Sequence, residues 1–282
     1  MKKFSIAYST CPNDTFIFYA LVKGKLKDSP FIFNEYLADI EELNSKAFNE
    51  AFEITKLSFN ALGYLQDKYT LLDSGAALGE NCGPLLVSKR YRSVDELKGK
   101  TVAVPGEHTT ANFLFNIAID TKTFKRFVRF DNIINEILSG KADAGVIIHE
   151  SRFTYKEFGL HCLLDLGEWW ENSCKLPIPL GGIAVSNRME DSDIKTLDKY
   201  LKLSIKYAFN NFDEVKNYIK NYAQELDETV IKSHIDLYVN DYTYSLGQKG
   251  VEAVKFFIAK GVEKNIFSNN KLKICGTIGF YT

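Results

Sequence analysis

Along this chain the hydrophobic positions alternate between a two-residue and a 3.6-residue period, and each change of period marks an element boundary. Phe4 to Ser9 alternates as a strand. Cys11-Pro12-Asn13-Asp14 follows as a turn, where Asn13 or Asp14 can accept the free N–H groups of a helix that begins near Thr15 and stops at Gly24. A short strand near FIFNEYL leads to a helix opened by Asp39-Ile40-Glu41-Glu42, in which Asp39 and Glu42 have capping-box spacing. A third strand, FEITKLS, runs into a helix beginning near Ser58.

After the glycine-rich stretch DSGAALGENCGPLLVSKR the alternation restarts. TVAVPGEHTTANFLFNIAI reads as strand, turn and helix, FKRFVRF as a strand, and DNIINEILSG as a helix. ADAGVIIHE is a strand whose apolar run ends by delivering His149 and Glu150 where a loop begins. Beyond LPIPLGGIAVSNR the chain is helical from about Asp191 to Lys264, with apolar residues at helical spacing that need a surface to cover.

Strands alternating with helices give parallel sheets covered by helices, with ligand sites outside the carboxyl ends of the strands. The economical arrangement has residues 1–89 as the N-terminal part of lobe one, 90–184 as an inserted α/β lobe two, and 185–282 as a mainly helical return to lobe one. That is an α/β, two-lobed type II periplasmic-binding-protein-like fold, with the ligand in a cleft that hinge closure can shut. Fold alone assigns no function.

Composition narrows the partner. The 282 residues are 45% hydrophobic, enough for one large core or two modest ones. With 35 basic and 36 acidic residues and no block of one sign, there is no footprint for nucleic acid or a membrane surface, so a small molecule or another protein is the expected partner. No segment reaches the roughly 18 apolar residues of a membrane span. The five cysteines, at positions 11, 82, 162, 174 and 275, are odd in number and contain no C-x-x-C pair. They signal neither a zinc site nor a disulfide framework, and a reducing compartment is expected. The start, MKKFSIAYSTC, is interrupted by polar residues and falls short of the roughly 7–15 apolar residues of a secretion signal. The expectation is the first strand of a cytoplasmic protein.

Several residues at predicted strand ends can carry chemistry. His149 is the natural candidate for a base near neutral pH, its ordinary pKa being about 6.5; a loop histidine capping the sheet is the plainer alternative. Thr109, Thr110 and Ala111 open a helix directly after a strand and Pro105-Gly106, so N–H groups and hydroxyls there can converge on a carboxylate or phosphate. An ordinary capped helix start fits as well, with His108 a surface turn residue. Ser58 has the same setting in lobe one, so two helix starts can grip two ends of an acidic ligand. Asn13 and Asp14 face the same edge, Asp14 more naturally as a cap than as an acid. Cys11 is a nucleophile candidate if the helix start lowers its pKa, but no histidine partner can be placed beside it. Trp169 and Trp170 suit a wall or packing, and His161 and His234 suit structural roles.

Taken together, CPNDTFIFYAL from Cys11, TKLS from Thr55, GAALG and GPLLVS from Gly75, AVPGEHTTA from Ala103, IIHESRFTY from Ile147 and LDLGEWWE from Leu164 give a chain that resembles the 1,4-dihydroxy-6-naphthoate synthase family, bacterial enzymes of the futalosine route to menaquinone. The resemblance runs in order to about Arg188, with a compatible helical remainder; the tail from Ser268 carries no matching motif. It implies a carbon–carbon lyase that uses neither a metal nor another cofactor and converts cyclic dehypoxanthine futalosine to 1,4-dihydroxy-6-naphthoate with release of dihydroxyacetone. It further implies His149 as general base and Lys56, Leu57, Ser58, Thr110 and Ala111 as contacts of the carboxylate substrate, which Asn13 and Asp14 join by position. Thr10 and Asn112 depart from the family pattern, which favours proline and a bulkier residue there. The rival readings are the chorismate dehydratase of the same pathway and a non-catalytic solute-binding protein, the latter expected to carry a secretion signal. Oligomeric state is not legible in the sequence.

Overall fold

The protein is described here from a computed structural model, over residues 1–223 and 227–276. β1 (Lys2–Ser9) lies parallel to β2 (Phe31–Ala38) and β3 (Ile54–Ser58), with α1 (Pro12–Val22), α2 (Ile40–Phe48) and α3 (Phe59–Tyr64) following them. β4 (Tyr69–Leu71) and β5 (Ala77–Gly79) complete this first passage. The chain then builds a second sheet from β6 (Leu85–Ser88), β7 (Thr101–Val104), β8 (Phe124–Phe127), β9 (Ala144–Ile147) and β10 (His161–Asp165), in the order β10-β6-β9-β7-β8. Its helices are α4 (Thr110–Ala118), α5 (Ile133–Leu138), α6 (Ser151–Thr154) and α7 (Leu166–Cys174).

β11 (Ile178–Ser186) returns to the first sheet and lies antiparallel between β3 and β4. α8 (Asp191–Asn210), α9 (Phe212–Lys220), α10 (Glu228–Tyr238), α11 (Asp241–Tyr244) and α12 (Gly247–Glu263) follow, and β12 (Lys273–Ile274) closes the edge beside β4. The C-terminal helices pack back on lobe one, as their apolar stripes require. α8 buries Ile194, Leu197, Leu201, Ile205 and Ala208 at helical spacing, in the same core as Phe16, Ile17 and Ala20 of α1.

Both expected lobe boundaries move. Leu85–Ser88 pairs with β9 and β10, and Ile178–Ser186 pairs with β3 and β4. The sheets therefore change hands at residues 80–84 and 175–177, not at 89/90 and 184/185. Two buried apolar strands of this kind look alike in sequence, since neither pattern records which sheet receives it. Of the C-terminal part, residues 224–226 and 277–282, the latter ending the tail from Ser268, lie outside the described residues.

The first helix also begins earlier than expected. Cys11 occupies the N-cap without a side-chain bond, and Pro12 stands in the first turn, where its missing N–H costs nothing. Asn13 and Asp14 thus sit inside the helix with their side chains free for other work. Asp39 does cap α2, accepting from the N–H groups of Glu41 and Glu42. The expected reciprocal bond is replaced by one from the Tyr36 hydroxyl to Glu42.

Candidate active site

Between the two sheets lies a cavity with about 630 Å³ of empty space, the open solvent at its mouth included. Asn13, Asp14, Lys56, Ser58, Thr110, Ala111 and His149 all line it. Leu57 does not. Side chains alternate along β3, so Lys56 and Ser58 face the cavity while Leu57 is 0% exposed and packs in the core with Phe59 and Leu71. Ile40, Ala77, Pro84, Ile148 and Leu180 supply apolar walls. Trp170 is buried in the core and Trp169 packs against it, so the tryptophan pair is packing and no part of the wall.

A buried ion pair forms one end. Lys56 Nζ lies 2.7 Å from Asp14 Oδ1, with side chains 6% and 1% exposed. Asp14 also accepts from the Ser9 hydroxyl at 2.6 Å, the Ser9 N–H at 3.3 Å and the Asn13 amide at 2.9 Å. Such complete satisfaction is what makes a buried carboxylate tolerable.

His149 follows β9 with φ +56°, a left-handed conformation uncommon for a residue with a side chain. Phe130 meets its ring edge-on at 4.8 Å. Nδ1 lies 3.4 Å from Cys11 Sγ, and Nε2 is buried without a protein partner among the described residues. Burial lowers its pKa to about 4, the nearby Asp14 carboxylate opposing and Lys56 adding to the shift. At neutral pH the imidazole is therefore uncharged and able to accept a proton.

His234, from α10, belongs to the same cluster. Its Nε2 is 3.0 Å from Asn13 Oδ1, and its ring lies nearly parallel to His149 at 6.1 Å. Burial, then His149 and Lys56, lowers its pKa well below the usual value. Tyr238, one turn further along α10, lines the cavity as well. The sequence reading gave His234 a structural role and did not consider Tyr238, although both share the buried face of α10 with Ile231 and Ile235.

Cys11 is corrected in two respects. A histidine does stand beside it, and its thiol pKa is raised well above the ordinary value by burial, then by Glu150 and Asp14. Burial therefore favours the neutral thiol over a nucleophilic thiolate. Arg152 donates to the carbonyls of Asn81 and Gly83 and to Asp165 at 2.8 Å, clamping the first crossing between sheets.

The helix starts differ from each other. Asn44 donates to Ser58 Oγ and accepts from Ser58 N–H, each at 3.0 Å, and the first-turn N–H of Asn60 in the six-residue α3 donates to Thr110 Oγ1 at 3.4 Å, so the lobe-one start is engaged with protein groups. The Thr109 hydroxyl caps α4 through Asn112 N–H, and Thr110 Oγ1 donates to Leu180 O at 2.7 Å, tying lobe two to β11. The first-turn N–H groups of Thr110 and Ala111 have no intrahelical acceptor, which suits an anion. His108 is no free surface residue: its N–H and ring both meet Glu41 of α2. His161 is exposed on β10.

Two α/β lobes closing on an apolar cleft that holds a neutral histidine define a small-molecule-binding fold equipped for proton transfer. The pattern of the menaquinone-biosynthesis family matches residues 4–263, and the chain belongs to that family. It is similar to "1,4-dihydroxy-6-naphtoate synthase" of Thermus thermophilus, with 40% identity over 94% of this chain and 96% of that protein. A protein of the same name from Streptomyces coelicolor shares 38% identity over 93% of each chain. Among solved structures, protein AF1704 from Archaeoglobus fulgidus superposes with a TM-score of 0.88 at 37% identity, covering 94% of this chain and 98% of that one. The alkanesulfonate-binding protein SsuA from Xanthomonas axonopodis pv. citri, bound to MOPS, gives a TM-score of 0.72 at 12% identity over 96% of each, which shows a shared fold alone. The periplasmic-binding-protein-like fold and the role in menaquinone biosynthesis expected from the sequence both hold. No helix among the described residues is long and apolar enough to cross a membrane.

Proposed function

We propose that this enzyme is a carbon–carbon lyase that converts cyclic dehypoxanthine futalosine to 1,4-dihydroxy-6-naphthoate and dihydroxyacetone, working in the cytoplasm with His149 as general base. The observation that carries the reading is the neutral, buried imidazole at the cavity, whose Nε2 has no protein partner. The reaction requires a proton to be removed and an anionic intermediate to be held until aromatisation of the naphthalene draws the cleavage forward. His149 removes the proton. The Lys56 ammonium and the N–H groups opening α4 stabilise developing negative charge and anchor the substrate carboxylate. The apolar walls receive the flat ring system and, when the lobes close, exclude water.

The test is incubation of the purified protein with cyclic dehypoxanthine futalosine, following naphthoate by absorbance and mass. Product supports the reading. Binding without turnover refutes it in favour of a solute-binding protein, and neither binding nor turnover refutes it in favour of a different substrate such as chorismate.

A further inference from the structure

His149 can take a proton through Nε2 only as the tautomer that carries its hydrogen on Nδ1, and the tautomer is set by what Nδ1 meets. What it meets is the Cys11 sulfur at 3.4 Å. We propose that Cys11 is a positioning residue: its sulfur accepts the Nδ1–H of His149 and so keeps the lone pair on Nε2 for the substrate. The proposal rests on the reading of His149 as the base and deepens it.

The surrounding bonds give the pair its direction. Asp14, held as the partner of Lys56, is acceptor-only and takes the Ser9 hydroxyl hydrogen at 2.6 Å. The Ser9 oxygen is left to accept, which it does from the Cys11 N–H at 3.3 Å. The Cys11 sulfur faces the ring at 3.4 Å with lone pairs able to accept its Nδ1–H. The opposite tautomer would bury an N–H at Nε2, where no protein acceptor stands among the described residues. A buried N–H without an acceptor is the rarer and costlier orphan. When Nε2 gains the substrate proton, Nδ1–H stays in place, and the nearby Asp14 carboxylate favours the new positive charge.

Two measurements on the full-length protein test this. Nitrogen NMR of isotopically labelled histidines at neutral pH, with His149 assigned by its loss in His149→Gln, is expected to show a protonated Nδ1 and a bare Nε2. The reverse pattern overturns the proposal without reference to turnover. In kinetics, Cys11→Ala is expected to lower kcat about 10- to 100-fold with KM within about twofold, and to shift the His149 tautomer. Cys11→Ser, which keeps a donor and an acceptor, is expected to recover most of the loss. A purely structural Cys11 would lower thermal stability while leaving the tautomer and kcat unchanged, and that result overturns the proposal. Turnover in His149→Ala removes the base and with it this role for Cys11. Loss of turnover in His149→Ala alongside normal kcat in Cys11→Ala removes only the latter.

Discussion

Replacing Asp14 by asparagine should cost the protein much of its stability, because it strands a buried cation. Lys56 and Asp14 have side chains 6% and 1% exposed, and the ammonium reaches the carboxylate at 2.7 Å. Removing one member of such a pair typically costs about 3–5 kcal/mol, since the remaining charge is left without compensation. Unfolding entropy of about 2.1 cal/mol/K per residue, over 282 residues, is about 0.6 kcal/mol/K, so the expected fall in Tm is about 5–8 °C. The assay is thermal unfolding of the ligand-free protein at neutral pH, by calorimetry or circular dichroism. The double variant Asp14→Asn/Lys56→Met removes both charges and is expected to regain most of the loss. A fall below about 2 °C in the single variant, or a double variant less stable than the single one, would refute the reasoning.

The two cavity histidines make stability fall with acid. The unfolded chain binds a proton near its ordinary pKa of about 6.5, whereas His149 in the fold resists protonation until about 4, and His234 is shifted the same way. Their contribution is therefore present above about pH 6.5 and is lost as pH falls toward 4, by up to about 1.4 kcal/mol per pH unit for each group. Urea midpoints across that interval measure it, and a flat profile would contradict the buried neutral state. Gly83→Ala should be among the most damaging glycine substitutions. An added Cβ would stand 2.3 Å from Gly167 Cα and 2.4 Å from its N, backbone that cannot step aside. A loss of several degrees in Tm, or of soluble protein, is expected, and an unchanged melt would show that the two segments do not approach so closely.

The fold was largely legible because period and breakers agree along the chain. The helix start at Thr110 and the placement of His149 followed from an apolar run ending at a loop. What remained hidden is tertiary. Cys11 and His149 lie far apart in sequence, and nothing in their local patterns announces a 3.4 Å contact. His234 and Tyr238 recur on one helical face, which reads as core until α10 is seen to cover the cavity. Leu57 shows the converse: the alternation of β3 already turned it away from Lys56 and Ser58, and only a resemblance covering three consecutive residues brought it into the site. The altered lobe boundaries have the same origin, because which sheet a buried strand joins depends on partners that its own residues do not name.

The central claim is that His149 performs the proton transfer in a cleft that binds ligand by other groups. Single-turnover reaction of wild type and His149→Ala with cyclic dehypoxanthine futalosine, paired with calorimetric binding of the naphthoate product, tests it most directly. The expected result is a rate at least about 100-fold lower in the variant with product affinity within about threefold of wild type. Turnover near the wild-type rate in His149→Ala would contradict the account.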